Sequence, residues 1–216
     1  MIIGVSNLKG GVGKTTIAQN IAVCFAYMGF KTCLVDTDTN CNSLSWSAAR
    51  DETLLSIPVI GSTEAKAIGK MVREMQKNYE IIVIDGTPSL SEMTTRIILA
   101  SDILLIPLLP SAHDLRAMSL FFDRYEQAKE LKENIPAYFL LNQYAPNINV
   151  HKGMKEAIEG FGLELLQTTI SKRAVYVETA LDGRGVYEAT DPKAKEEIIK
   201  LTTELLEKAR ELGLVE

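Results

Sequence analysis

The sequence predicts an α/β fold, a doubly wound, mostly parallel sheet with helices on both faces, built as one domain over residues 1–216. Three observations carry this expectation. Short runs rich in Val, Ile and Leu alternate with stretches of helical period, the pattern of repeated strand–helix–strand units. The run Ile81-Ile82-Val83-Ile84 is apolar without alternation, as a central strand covered on both faces requires. Finally, Lys9-Gly10-Gly11-Val12-Gly13-Lys14 fills the turn between the first strand and the first helix.

Taken in order, Ile2, Ile3 and Val5 give the first strand, and Ile17, Ile21, Cys24 and Met28 give a helix that ends at Gly29. Residues 31–36 form a strand closing on Asp36, residues 42–50 a helix, and residues 58–60 a short strand. A helix over 63–77 points Ala67, Met71 and Met75 inward, ahead of the strand over 79–85. Ser89-x-x-Glu92 and Ser111-x-x-Asp114 have capping-box form, and each opens a helix, with a buried strand over 103–107 between them. The second of these helices carries Leu115, Met118, Phe122 and Tyr125 on one face. A strand over 136–142, a helix over 151–160, a short strand over 165–170 and the turn at 182–185 follow. The last helix, over 192–212, has the stripe Ile198, Leu201, Leu205 and Leu212, with both charge signs on its other faces.

With 216 residues, of which 46% are hydrophobic and 24% charged, the chain is sized for one substantial core. No apolar run approaches the roughly 20 residues of a membrane span, and the N-terminal residues lack the pattern of a signal peptide, so a cytoplasmic protein is expected. Cys24, Cys33 and Cys41 have no C-x-x-C spacing and read as small buried hydrophobes. A net charge of -5 excludes nucleic-acid binding by bulk basicity; any such binding needs a local patch.

The glycine-lysine turn has the chemistry of a phosphate cradle. Gly10, Gly11 and Gly13 let backbone N–H groups converge on an anion, the first turn of the helix adds unpaired N–H groups, and Lys14 supplies a mobile positive charge. Thr15 and Thr16 bring hydroxyls, Thr15 as a candidate ligand for Mg2+. The general pattern G-x-x-x-x-G-K-[ST] wants glycine where this chain has Leu8, and it has no place for Lys9. Three carboxylates, Asp36, Asp38 and Asp85, lie at the carboxyl ends of expected strands, where a doubly wound sheet presents residues to a ligand. Asp85 is the expected metal-holding acid, Asp36 a second metal-side or Lys14-orienting acid, and Asp38 a candidate for positioning the attacking water. The ordinary alternative for each is a helix-capping or turn aspartate.

Lys9-Gly10-Gly11-x-Gly13-Lys14-Thr15-Thr16, Asp36-Thr37-Asp38, the stretch 81–88, the stretch 104–111 and the stretch 139–143 together resemble the ParA/MinD superfamily of P-loop ATPases. The later stretch 170–189 looks most like the short ParF-type plasmid partition proteins. The resemblance implies ATP/ADP and Mg2+ as cofactors, with Lys9 acting in trans across an ATP-dependent homodimer. It further implies Asp38 on the hydrolytic water, Asp85 on Mg2+, and Asn142 on the adenine. The chain departs from the family's D-P-Q at the second acid, having Asp38-Thr39-Asn40. Implied partners are non-specific DNA on the nucleoid and a centromere-binding adaptor of ParB/ParG type. Lys172 and Arg173 are the expected DNA contacts, with Lys152, Lys155 and Arg184 as additions. A MinD-like membrane-cycling regulator and a positioner of a protein organelle such as a carboxysome remain alternatives. A reductase or metal-cluster carrier would need cysteines beyond Cys41, and the sequence has none.

Overall fold

The computed structural model describes residues 1–89, 91–145, 158 and 160–215, and of residues 112–117 the helical backbone. Seven strands form one parallel sheet: β1 (Ile2–Val5), β2 (Thr32–Asp36), β3 (Val59–Gly61), β4 (Ile81–Asp85), β5 (Ile103–Leu108), β6 (Ala137–Leu141) and β7 (Glu164–Leu165), in the order β3-β2-β4-β1-β5-β6-β7. β1 lies between β4 and β5, so the loop that leaves it emerges at the centre of the carboxyl edge. The expected doubly wound sheet is therefore present, and all of its pairings are parallel.

Alternate residues of the β-branched strands face opposite layers. One layer packs α1 (Lys14–Tyr27), α6 (Val175–Leu181) and α7 (Pro192–Glu211) on Ile3, Val5, Leu34, Ile81, Val83, Ile103 and Leu105. On the other face, α3 (Ala65–Met75) and α4 (Glu92–Ala100) cover Ile2, Cys33, Val35, Ile82 and Ile84. Beside them α5 (Ala112–Lys129) covers Leu104, Ile106, Phe139 and Leu141. The short helix α2 (Asn42–Ala48) sits at the carboxyl edge, after β2.

Several expectations are corrected. The buried face of α3 is Ile68, Val72 and Met75; Ala67 is exposed and Met71 only partly covered, because the stiff β-branched pair takes the flat sheet surface. On α5 the stripe is Met118, Phe121, Tyr125 and Ala128, with Phe122 half-buried, while the side chain of Leu115 lies outside the described residues. Helix α4 starts from Ser91, and Ser89 lies two residues before that N-cap, with its hydroxyl on Ser91 Oγ, so no capping box forms there. Met28 and Leu212 cap α1 and α7 from exposed positions, and Ala209 takes the inward slot expected for Leu212. The strand expected over 165–170 is the two-residue β7 and a single bridge between Asn142 and Ile170. The helix expected over 151–160 lies outside the described residues apart from 158 and 160.

A buried ion pair fixes α2 to the C-terminal half. The Arg50 guanidinium bonds both Glu188 carboxylate oxygens, and its remaining donors reach the carbonyls of Leu55 and Gly183. Glu188, in a 3-10 turn over Val186–Glu188, also accepts the Gly185 N–H. The two side chains are 6% and 2% exposed, so loss of one partner would leave an uncompensated buried charge. Glu188→Ala is expected to lower stability by about 3–5 kcal/mol in urea unfolding. By contrast, Glu92→Ala, which breaks the exposed Arg96–Glu92 pair, should cost less than about 1 kcal/mol.

Candidate functional site

Lys9 to Thr16 close the turn between β1 and α1 at the carboxyl edge. Two buried asparagines brace it. Asn7 donates to the Pro107 carbonyl at 2.8 Å and accepts the Lys9 N–H at 3.0 Å, which fixes the start of the loop to β5. Asn142, just past β6, donates to the Val12 carbonyl at 2.8 Å and accepts the Gln143 N–H. Gly13 is the N-cap of α1 with φ of 90°, and a Cβ there would stand 2.2 Å from the Asn142 amide nitrogen. Only glycine meets both requirements. Gly10 and Gly11 are exposed at the loop's tip, Val12 is buried, and Lys9 is half-buried at its mouth.

Lys14 is 6% exposed, and its ammonium donates to the Lys9 carbonyl at 2.8 Å, so the loop folds around its own cation. Burial holds its pKa down at about 8, against the pull of Asp85 and Asp38. Thr15 donates to Asp85 Oδ1 at 3.1 Å. Asp85 is fully enclosed, and burial pushes its pKa up to about 7; hydrogen bonds from Ser43 and Thr15 oppose this, Asp36 adds to it, and Lys14 opposes it. Register explains the proximity: Val5, Asp36 and Asp85 end adjacent strands side by side.

Asp36 serves its neighbour helix. Its carboxylate accepts N–H groups from Asp38, Ser43 and Leu44, so it caps α2 as the ordinary alternative anticipated. Asp38 is buried too, with Oδ1 held by the backbone and side-chain N–H groups of Asn40. Sequence reading missed Ser43, whose hydroxyl donates to Asp85 Oδ2 at 2.8 Å and accepts from Gln19. It links the two carboxylates through α2, and only the register of β2 with β4 could have revealed it.

Beside the loop opens a cavity of about 570 Å³, bounded by Gly13, Thr15 and Thr16 on one side, Trp46 of α2, Asn142, and residues 170–173 with α6 opposite. Its size suits a nucleoside-sized ligand. Lys172 is exposed on its wall. Arg173, expected as a DNA contact, is bound to Glu197 at 2.8 Å and faces Asp191 at 4.0 Å. Arg184 pairs with Asp182, and Lys152 and Lys155 lie outside the described residues. Thr15 and Asp85 supply hard oxygen donors next to the loop, the set that suits Mg2+ completed by phosphate oxygens and water.

The two shifted groups have opposite signatures. A carboxyl with a raised pKa favours the fold fully below the ordinary carboxylate range, and this support is lost as pH rises from there through about 7. A lysine with a lowered pKa burdens the fold fully below about 8 and is relieved as pH climbs toward its ordinary value. In the ligand-free chain, Asp85→Asn should therefore be more stabilising at pH 8 than at pH 5, by about 2–3 kcal/mol in urea titrations. A difference that does not grow with pH would contradict the enclosed carboxylate.

Residues 3–186 match the family described as the CobQ/CobB/MinD/ParA nucleotide binding domain. The maintenance of carboxysome distribution protein A of Halothiobacillus neapolitanus is 31% identical over 94% of this chain and 95% of its own. Among solved structures, Cyanthece apo McdA superposes with a TM-score of 0.79 at 15% identity, covering 94% of this chain and 98% of that one. Pyrococcus horikoshii MinD, solved with Mg-ADP, superposes at 0.76 and 20% identity over 96% of both chains. The glycine-lysine loop, the carboxylates on adjacent strand ends and the match over most of its length place this chain in the CobQ/CobB/MinD/ParA family of nucleotide-binding domains.

Proposed function

We propose that the chain is an ATPase that closes into an ATP-dependent homodimer and uses the cycle to position a cargo on DNA. The observation that carries this reading is the enclosed Lys14 on the glycine loop and Thr15 on Asp85, with Gly13, Thr15 and Thr16 of the same turn lining a nucleoside-sized cavity. In it, Gly10 to Thr16 hold the phosphates, and Thr15 and Asp85 hold Mg2+, which supplies charge neutralisation on the transferring phosphoryl group. Asp36 acts through its hold on α2 and the strand end, and Asp38, released from Asn40, orients the attacking water. Asn142 shapes the entrance to the base site while fixing the loop. Lys9 reaches the partner's nucleotide, so that dimerisation and hydrolysis become one switch.

DNA is the preferred matrix over a membrane because the apolar stripe of α7 is already spent. Ala194, Ile198, Leu201, Leu205 and Ala209 are all fully covered in the core. Among the described residues no helix is long and apolar enough to cross a membrane. Among the described residues, Lys172 is the best-placed of the expected phosphate contacts, being exposed at the cavity rim. For the cargo, a DNA segment carrying a centromere-type adaptor is the first reading. A protein organelle is the second, favoured by the 31% identity to a carboxysome distribution protein.

Lys14→Ala should weaken nucleotide binding by about 100-fold in equilibrium titration, since a charge-assisted phosphate contact is lost; retained affinity would remove the phosphate-loop reading. Lys9→Ala should keep the fold and nucleotide affinity yet lose ATP-dependent dimerisation or turnover, measured by sedimentation and phosphate release. Wild-type values in both would refute the role in trans. DNA binding should require ATP, and its affinity should fall with rising salt; salt-independent binding, or binding to lipid vesicles alone, would overturn the DNA reading.

A further inference from the structure

The wall of the cavity that faces the phosphate loop has little local reason to hold its shape. Residues 171–174 are irregular, between the single bridge at Ile170 and the start of α6. What holds them is one carboxylate 21–26 residues further on. Glu197 of α7 accepts Ser171 N–H at 3.2 Å and Ser171 Oγ–H at 2.7 Å. It also accepts Arg173 Nη2–H at 2.8 Å, a longer Arg173 Nε–H contact at 3.4 Å, and Tyr176 O–H at 3.4 Å. All three donors line the cavity, and Glu197 does not. Asp191 backs the same arginine at 4.0 Å while capping α7 with its own carboxylate.

Glu197 thus stands behind the wall and gathers a backbone amide, a hydroxyl, a guanidinium and a phenol onto one point. The opposite wall is tied to β6 through Asn142, and Ile170 is tied to the end of the same strand by its N–H on the Leu141 carbonyl. The gap between the walls is therefore fixed by two anchors, the end of β6 and Glu197. Charge-assisted bonds converging on one side chain impose a single geometry on a segment that lacks a ladder or helix of its own.

We propose that Glu197 is a positioning residue for the nucleotide: through Ser171, Arg173 and Tyr176 it sets the wall against which base and ribose sit, without touching them. This rests on the nucleotide reading of the cavity. It also gives Arg173 a role within the fold.

The test compares the wild-type chain with Glu197→Gln and Ser171→Ala, binding Mg-ATP and, separately, inorganic tripolyphosphate, which engages the phosphate loop alone. ATPase KM and kcat and apo thermal stability are measured alongside. Glu197→Gln is expected to raise the ATP Kd and the KM about tenfold, with kcat at saturation and tripolyphosphate affinity unchanged. Ser171→Ala should do the same by about threefold. Unchanged ATP affinity, or equal weakening of ATP and tripolyphosphate, would overturn the proposal, since a simple strut would affect both alike or neither. If Glu197→Gln does not fold, Ser171→Ala decides by the same ratio. A wild-type chain that binds neither probe would sink the nucleotide reading itself; one that binds tripolyphosphate but shows no selective loss in the variants would sink only the role of Glu197.

Discussion

Two opposite charges enclosed at the carboxyl edge of the sheet, Lys14 and Asp85, constrain everything built around them. Each has lost most of its water, and their attraction does not restore it: burial is the first cause of both pKa shifts, and each moves toward the neutral form. Such a pair is a poor way to stabilise a fold and a good way to prepare a site. A ligand with dense negative charge and a bound cation would supply what both lack, and the free chain keeps that demand in place by rigid means. Asn7 and Asn142 fix the loop to β5 and to the end of β6, while the Lys9 carbonyl holds the ammonium.

The same constraint organises the neighbouring segment. Asp36 and Asp85 end adjacent strands in register, and α2 is capped by the first while its Ser43 donates to the second. The far end of α2 is clamped by Arg50 to Glu188 and by the Trp46 indole N–H to the Arg184 carbonyl. Asp38 sits between, held by Asn40. A change at Asp85 thus has a short covalent and hydrogen-bonded route to the residue proposed to act on water, and from there to the cavity wall.

How much of this was legible in the sequence follows from the range of the interactions. β1, β2, β4, β5 and β6 were readable because short apolar runs without polar alternation have no other place than a doubly covered sheet. The loop and Asp85 were readable because their chemistry is local or lies at a strand end. The phase of α3 was misread because Met75 belongs to both possible stripes, and the choice between Met71 and Val72 is made by the sheet opposite. Leu212 was assigned one turn too far because the cap at the end of α7 left no signal stronger than the apolar residue itself. Asn7, Ser43, Glu188 and Glu197 were invisible for a single reason: the partners that give them their roles, Pro107, Asp85, Arg50 and Arg173, lie 24 to 138 residues away. Asp36 stands at the strand end where the sequence puts it, and its hold on α2 through the Ser43 and Leu44 N–H groups shows only once β2 and α2 are folded together.

Proton traffic on ligand binding is the sharpest consequence of the enclosed pair. If Lys14 is held at about 8 and Asp85 at about 7 only for lack of a ligand, then Mg-ATP must restore both toward their ordinary values. Calorimetric titration of the wild-type chain with Mg-ATP in excess Mg2+, repeated in buffers of different ionisation enthalpy, counts the protons exchanged. The predicted result is net proton release at pH 6.5, where Asp85 gives up its proton, turning to net uptake at pH 8.5, where Lys14 gains one. Binding with no change in proton exchange between these two pH values would contradict the enclosed charge pair as the centre of the site.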